Sequence, residues 1–264
     1  MTSISQMNFL ERIIYLLQHY GPSYAKGAAT TMLIAIVSTF IGCVIGFAVG
    51  IVQTIPLDAK RDHPAKRTII TAIKFLLKAY VELFRGTPMI VQAVFIYYGA
   101  AQVFNIQLGM WESAFLVVSI NTGAYMAESV RGGIISVDPG QMEGAKAIGM
   151  NHFQAMVNVI LPQAFRNIIP QIGNNFIINI KDTSVLSIIS IVDLFFVHKS
   201  VAGAMYTYFE SATIVMAIYL TMTIISSRLL NLWEKYLDGS DNYELVDNMD
   251  IGNQLNDAGR SAMR

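Results

Sequence analysis

The chain has 264 residues, of which 54% are hydrophobic and 14% are charged, and its mean hydropathy is +0.48. Soluble domains carry about 25% charged residues, so this composition excludes an ordinary soluble domain and favours a membrane protein. Its 18 basic and 18 acidic residues cancel, which excludes a general electrostatic attraction to nucleic acid. The single cysteine, Cys43, excludes an internal disulfide.

Three regions follow from the distribution of apolar and charged residues. Residues 1–23 mix charged with apolar residues and lack the apolar stretch of a signal peptide, so they predict an amphipathic helix on the membrane surface. Residues 24–237 contain the long apolar segments and are interpreted as one transmembrane domain. Residues 238–264 are acidic and poor in apolar residues, which predicts a disordered cytoplasmic tail.

The first predicted span, Ala28 to Val52, carries glycines at every fourth position: Gly42, Gly46 and Gly50. This spacing predicts a smooth strip on one helix face, where a second helix packs closely. The loop that follows is predicted to be cytoplasmic by the positive-inside rule, because it holds four basic residues: Lys60, Arg61, Lys66 and Arg67.

A break is predicted between an interfacial helix, Thr68 to Leu83, and a second span, Met89 to Phe104. The intervening motif contains Pro88, which fixes its own backbone and disfavours helix at the preceding residue. We assign a structural or gating role to the four residues of this motif: Arg85, Gly86, Thr87 and Pro88.

Polar residues follow one face of the third predicted span, Glu112 to Val130, at positions i, i+4 and i+7: Asn121, Tyr125 and Glu128. A second polar stripe follows the fourth span, Gln163 to Ile180, and continues just past it; it includes Asn175, Asn179 and Asp182. These side chains could line a path for a zwitterionic solute. They could equally form hydrogen bonds between helices, each contributing about 1 kcal/mol in a membrane.

With a fifth span from Ser211 to Ile225, the basic residues predict five crossings, an external N-terminus and a cytoplasmic C-terminus. A polar helix, residues 138–150, interrupts the spans on the cytoplasmic side. Asp138 is its predicted N-cap, Pro139 its first residue, and Gly149 loosens its end. The chain has no phosphate-binding Gly-rich loop of the Walker type and no catalytic motif, so any energy source for transport would have to lie on another chain or be an ion gradient.

The same stretch resembles the EAA signature of permease subunits of bacterial ATP-binding-cassette (ABC) importers. Six residues carry the resemblance, although Gly144 replaces the usual central alanine: Glu143, Gly144, Ala145, Gly149, Leu161 and Pro162. Three further motifs resemble the polar amino acid branch, the histidine and glutamine permease type: Glu82 to Pro88, Tyr125 to Gly133, and Ile180 to Ser184.

The resemblance implies an all-α membrane protein with about five transmembrane helices, the fold of type I importer permeases, in the bacterial inner membrane. It implies a second permease subunit, identical or paralogous, an external solute-binding protein, and separate ATPase subunits that bind ATP and magnesium, so that no cofactor is expected in this chain. The six signature residues would dock on the ATPase, with Ala145 and Gly149 allowing close approach and Pro162 ending the helix. The polar stripes alone would also permit a secondary transporter or a channel for small polar solutes.

Overall fold

The computed structural model describes residues 7–57 and 63–238, in which all regular structure is helical. The predicted tail, apart from Asp238, and the basic residues Lys60 and Arg61 lie outside these ranges. A π-helical segment, Met156–Ile160, precedes α7, and a 3₁₀ segment, Thr183–Ile189, follows it. The described α-helices are α1 (Phe9–Thr54), α2 (Pro64–Gly86), α3 (Met89–Phe104), α4 (Met110–Ile135), α5 (Pro139–Ala147), α6 (His152–Ala155), α7 (Leu161–Asp182), α8 (Leu194–Met205) and α9 (Tyr208–Asp238).

Helix α1 runs for 46 residues without a break. Residues 9–23 are therefore continuous with the first predicted span, whereas a separate surface helix was expected over residues 1–23. Pro22 lies inside α1 and does not end it, and Leu16 and Tyr24 are buried in an apolar cluster with residues of α8 and α9. These contacts keep the N-terminal part of the helix in line with the rest. At about 1.5 Å per residue, α1 is longer than the hydrocarbon core of a bilayer requires.

Helix α4 lies at the centre of the described bundle and packs along α1. The three glycines of α1 face it so closely that a Cβ atom on Gly46 would lie 2.3 Å from Cβ of Met126. A Cβ atom on Gly42 would lie 2.6 Å from Cβ of Thr122, and one on Gly50 would lie 2.7 Å from Cβ of Val130. We call this contact the α1–α4 seam. Side chains at these glycine positions would force the two helices apart.

Two helices, α1 and α9, are long and apolar enough to cross a membrane. Two bent pairs could each add one span: α2 with α3, bent by 112°, and the helical stretch 152–189 with α8, bent by 54°. Helix α4, with 26 residues, is also long enough, but its polar residues lower its hydropathy. Because neighbouring helices bury most of α4, it does not need to be apolar on every face.

The expectation that Pro162 ends a helix is wrong, because the chain stays helical from His152 to Asp182. A proline in a helix leaves the carbonyl four residues earlier without a donor and crowds it. Here the preceding turn widens into the π-helical segment, the local change that accommodates such a residue. Pro162 thus occupies the first turn of α7 rather than its end.

Candidate functional site

The first candidate site is the segment formed by residues 138–162. Asp138 caps α5, since its Oδ1 accepts a hydrogen bond from the Gly140 amide at 2.6 Å. Gly149 ends the helix with a φ of +88°, a left-handed conformation that favours glycine. The Gly149 amide donates to the Lys146 carbonyl (3.0 Å) and the Met150 amide to the Ala145 carbonyl (3.1 Å), which is a Schellman motif.

A new helix begins immediately after this turn. The Asn151 side chain accepts from the Gln154 amide at 2.9 Å, and the Gln154 side chain accepts from the Asn151 amide at 3.0 Å. This reciprocal capping box opens α6. The bend between α5 and α6 is therefore fixed by local hydrogen bonds at both of its ends.

The structure divides the six signature residues into exposed and covered positions. Glu143 and Gly144 are exposed on α5, and Glu143 makes no ion pair within the described residues. Ala145, in contrast, is buried against its own chain. It therefore cannot give a partner backbone close access, as the sequence had suggested, because this face of α5 packs onto the π-helical segment. Leu161 is half-buried and Pro162 is exposed.

Two residues that the sequence analysis did not single out are conspicuous on this segment. Ile148 and Phe153 flank Gly149, and their exposed fractions are 76% and 75%. Large apolar side chains in an otherwise polar stretch were the signal that could have identified them. Side chains of this kind are usually covered by a partner.

The second candidate site surrounds the break between α2 and α3. Gln92 donates to the carbonyls of Phe84 and Thr87, each at 2.9 Å, and Asn121 of α4 donates to the Phe84 carbonyl at 3.1 Å. Asn121 also donates to the Gln92 side-chain oxygen at 3.0 Å. These amides satisfy carbonyls that the end of α2 leaves without helical partners.

Charged and aromatic side chains meet beside this break. Arg85 forms an ion pair with Glu128, and its guanidinium lies 5.4 Å from the ring centre of Tyr125. Both Arg85 and Glu128 remain partly accessible, and Tyr125 is 40% exposed. The break motif and the polar face of α4 thus meet in one cluster.

The polar stripe of α7 separates into three environments. Asn179 is buried and donates to the hydroxyls of Thr39 on α1 (2.7 Å) and Thr122 on α4 (2.9 Å). Asn175 donates to the Gln171 carbonyl of its own helix at 2.9 Å. Asp182 ends α7 and is exposed, without a hydrogen bond or ion pair among the described residues.

The geometry defines a helical membrane protein with a polar cluster beside a broken helix and an exposed polar segment. Within residues 7–57 and 63–238, no group of three His, Cys, Asp or Glu side chains could hold a metal ion. Residues 69–239 match the family described as binding-protein-dependent transport system inner membrane component, and the chain belongs to this family.

Relatives over most of the chain agree with this assignment. The nopaline transport system permease of Agrobacterium fabrum is 34% identical over 82% of this chain and 88% of its own length. The glutamine transport system permease of Escherichia coli is 31% identical over 81% of this chain and 92% of its own. The arginine transport system permease of Bacillus subtilis is 29% identical over 83% of this chain and 94% of its own.

Solved structures show the same fold. A chain of an amino acid ABC transporter superposes with a TM-score of 0.74 at 34% identity, covering 87% of this chain and 98% of that one. A chain of the inward-facing MetNI methionine transporter superposes with a TM-score of 0.61 at 18% identity, covering 86% of this chain and 99% of that one. At this identity the likeness concerns the fold alone. The predicted permease family and all-α fold are therefore confirmed. As a membrane component of an ABC importer, the chain is not itself an enzyme and works with separate ATPase subunits and a solute-binding protein.

Proposed function

We propose that this chain is the permease subunit of an ATP-driven importer for polar amino acids, and that residues 138–162, the coupling segment, dock on its ATPase. The names of the relatives support the class of substrate. The observation that carries the docking site is the exposure of Ile148 and Phe153 on a polar segment. Each side chain would bury its apolar surface in the complex, which contributes about 1.5 to 3 kcal/mol per residue.

The coupling segment suits the transmission of motion. Its α5 begins at the Asp138 cap and ends at the Schellman motif, so it can move as one short rigid unit. Its inner face, which includes Ala145, packs on the π-helical segment that leads directly into α7. A displacement of α5 by the ATPase would therefore pass into α7 through continuous helix.

For the solute path we propose three accessible members of the two polar stripes: Tyr125, Glu128 and Asp182. Asn121 and Asn179 are engaged in buried hydrogen bonds between elements, which favours a structural role for both. Asn175 donates within its own helix and, at 3.4 Å, to the Met126 sulfur of α4, and it stays partly accessible. Glu128 is paired with Arg85, so this ion pair would have to open before the carboxylate could receive an ammonium group.

We further propose five crossings with an external N-terminus and a cytoplasmic coupling segment, a second permease subunit across the path, and ATP and magnesium on the ATPase. The orientation can be checked by cysteine labelling. In a Cys43→Ser background, Gln107→Cys should react with an impermeant maleimide in intact cells. Lys146→Cys should react only after the cells are opened, and the reverse pattern would contradict the orientation.

Proteoliposomes that contain the chain, its ATPase and its solute-binding protein test the docking site. Phe153→Asp or Ile148→Asp should reduce both ATPase co-purification and ATP-driven uptake about tenfold or more, because a carboxylate replaces a buried apolar anchor. Ile148→Leu is the matched control and should retain both. Undiminished uptake by the aspartate variants would contradict the proposal. Uptake driven by an ion gradient without the ATPase would show a secondary transporter instead.

A further inference from the structure

An open cavity of about 470 Å³ lies between the C-terminal end of α1, α2 and α4. Four cationic side chains line this cavity: Lys74, Lys78, Arg85 and Arg131. Its two carboxylates are already engaged, since Glu128 pairs with Arg85 and Glu82 lies 3.6 Å from the Lys78 ammonium. Among the residues that the structure describes, two positive charges are left without a carboxylate.

These two charges belong to Lys74 and Arg131. The Lys74 ammonium donates to the backbone carbonyl of Ile55, a neutral acceptor. Arg131 is exposed at the cavity and makes no hydrogen bond or ion pair with any residue the structure describes. The cavity therefore carries a net positive charge in a place where an anion can enter from outside.

The surroundings of the cavity indicate where the anion comes from. Four of the five basic residues of α2 share one helix face: Arg67, Lys74, Lys78 and Arg85. The opposite face exposes large apolar side chains, with accessible fractions between 42% and 65%: Ile69, Ile73, Leu76 and Leu83. A helix with this division lies in the membrane interface, with its apolar face toward the lipid chains and its basic face toward the headgroups.

We propose that this cavity binds the phosphate-bearing headgroup of an anionic phospholipid, with Lys74 and Arg131 as the groups that contact the phosphate. Arginine offers a planar fork of donors that matches phosphate oxygens, and the lysine ammonium adds a second point of charge. The lipid chains lie along the apolar face of α2. Basic pockets between membrane helices recognise anionic headgroups in this way. The site uses neither the coupling segment nor the accessible residues of the solute path as phosphate ligands.

The full-length chain in detergent, titrated with phosphatidylglycerol and monitored by native mass spectrometry, tests this proposal. Phosphatidylglycerol should bind more tightly than phosphatidylcholine, and the double variant Lys74→Gln/Arg131→Gln should raise its dissociation constant about tenfold or more. The charge-conserving variant Lys74→Arg/Arg131→Lys should retain binding. Arg228→Gln/Lys235→Gln, which removes two exposed charges from α9, is the matched control and should bind as the unmodified chain does.

Four results would overturn the proposal. The first is an equal affinity for the two lipids, and the second is an unchanged affinity in Lys74→Gln/Arg131→Gln. The third is an equal loss of affinity in the α9 control, because general charge would then govern binding. The fourth is inorganic phosphate that occupies the site and excludes the lipid, which would assign the cavity to a free anion.

Discussion

The α1–α4 seam and the coupling segment both depend on glycine, but for different physical reasons. In the seam, Gly46 provides space, because the neighbouring helix lies where a side chain would begin. In the coupling segment, Gly149 has open space around it and provides instead a backbone conformation with a φ of +88°. One glycine is required by a distant part of the chain, and the other by its own turn.

The two regions also differ in what surrounds them. The seam is buried within the described bundle and carries hydrogen bonds that join three helices at Asn179. The coupling segment exposes Ile148 and Phe153 and is held by hydrogen bonds between residues close in sequence. Changes in the seam should therefore affect folding of the whole domain, whereas changes in the coupling segment should affect transport more than stability.

The largest expected effect on stability comes from Gly46→Ala. The new Cβ would lie 2.3 Å from Cβ of Met126 and 2.9 Å from the Ala127 amide nitrogen, so α1 and α4 must separate. We expect a loss of about 3 kcal/mol in the free energy of unfolding, measured by thermal or denaturant unfolding of the purified chain. Gly99→Ala is the matched control, because its Cβ meets nothing within 4 Å. Equal stability of the two variants would contradict the close approach of the seam.

A smaller effect is expected from Asn179→Leu. This change leaves the hydroxyls of Thr39 and Thr122 without their shared amide donor, at a cost of about 1 to 2 kcal/mol. Asn175→Leu is the control on the same helix. It removes a bond to the helix's own carbonyl and a long contact (3.4 Å) to the Met126 sulfur, a weak acceptor, and should cost less than about 0.5 kcal/mol. If Asn179→Leu lowers the affinity for solute at unchanged stability, Asn179 belongs to the path rather than to the packing.

The features that the sequence made visible are those determined by neighbouring residues. Pro88 places the end of α2 at Gly86 and the start of α3 at Met89, and Asp138 and Gly149 bracket α5. The spacing of the α1 glycines likewise required only the helical period. In each case the type of a residue and its position along the chain are enough to locate the feature.

Features that depend on distant contacts were not visible. Helix α1 passes through Pro22 because α8 and α9 cover Leu16 and Tyr24, and no local pattern reports that contact. The role of Asn121 depends on the carbonyl of Phe84, which lies 37 residues away. The burial of Ala145 similarly depends on the turn that brings the π-helical segment back onto α5.

The smallest expected effect on stability comes from Gly149→Ala, which tests the coupling segment. A side chain at a φ of +88° costs about 1 kcal/mol, but no neighbouring atom obstructs it, so the bundle should remain folded and abundant in the membrane. The strain can be relieved by opening the Schellman motif, which would change the position of Ile148 relative to Phe153. Uptake in proteoliposomes should therefore fall several-fold, which is more than the small loss of stability can explain. Gly144→Ala, in helix α5, is equally unobstructed and restores the usual alanine of the signature, so it should leave both uptake and the unfolding temperature unchanged. If the two variants behave alike, the conformation of Gly149 does not position the coupling segment.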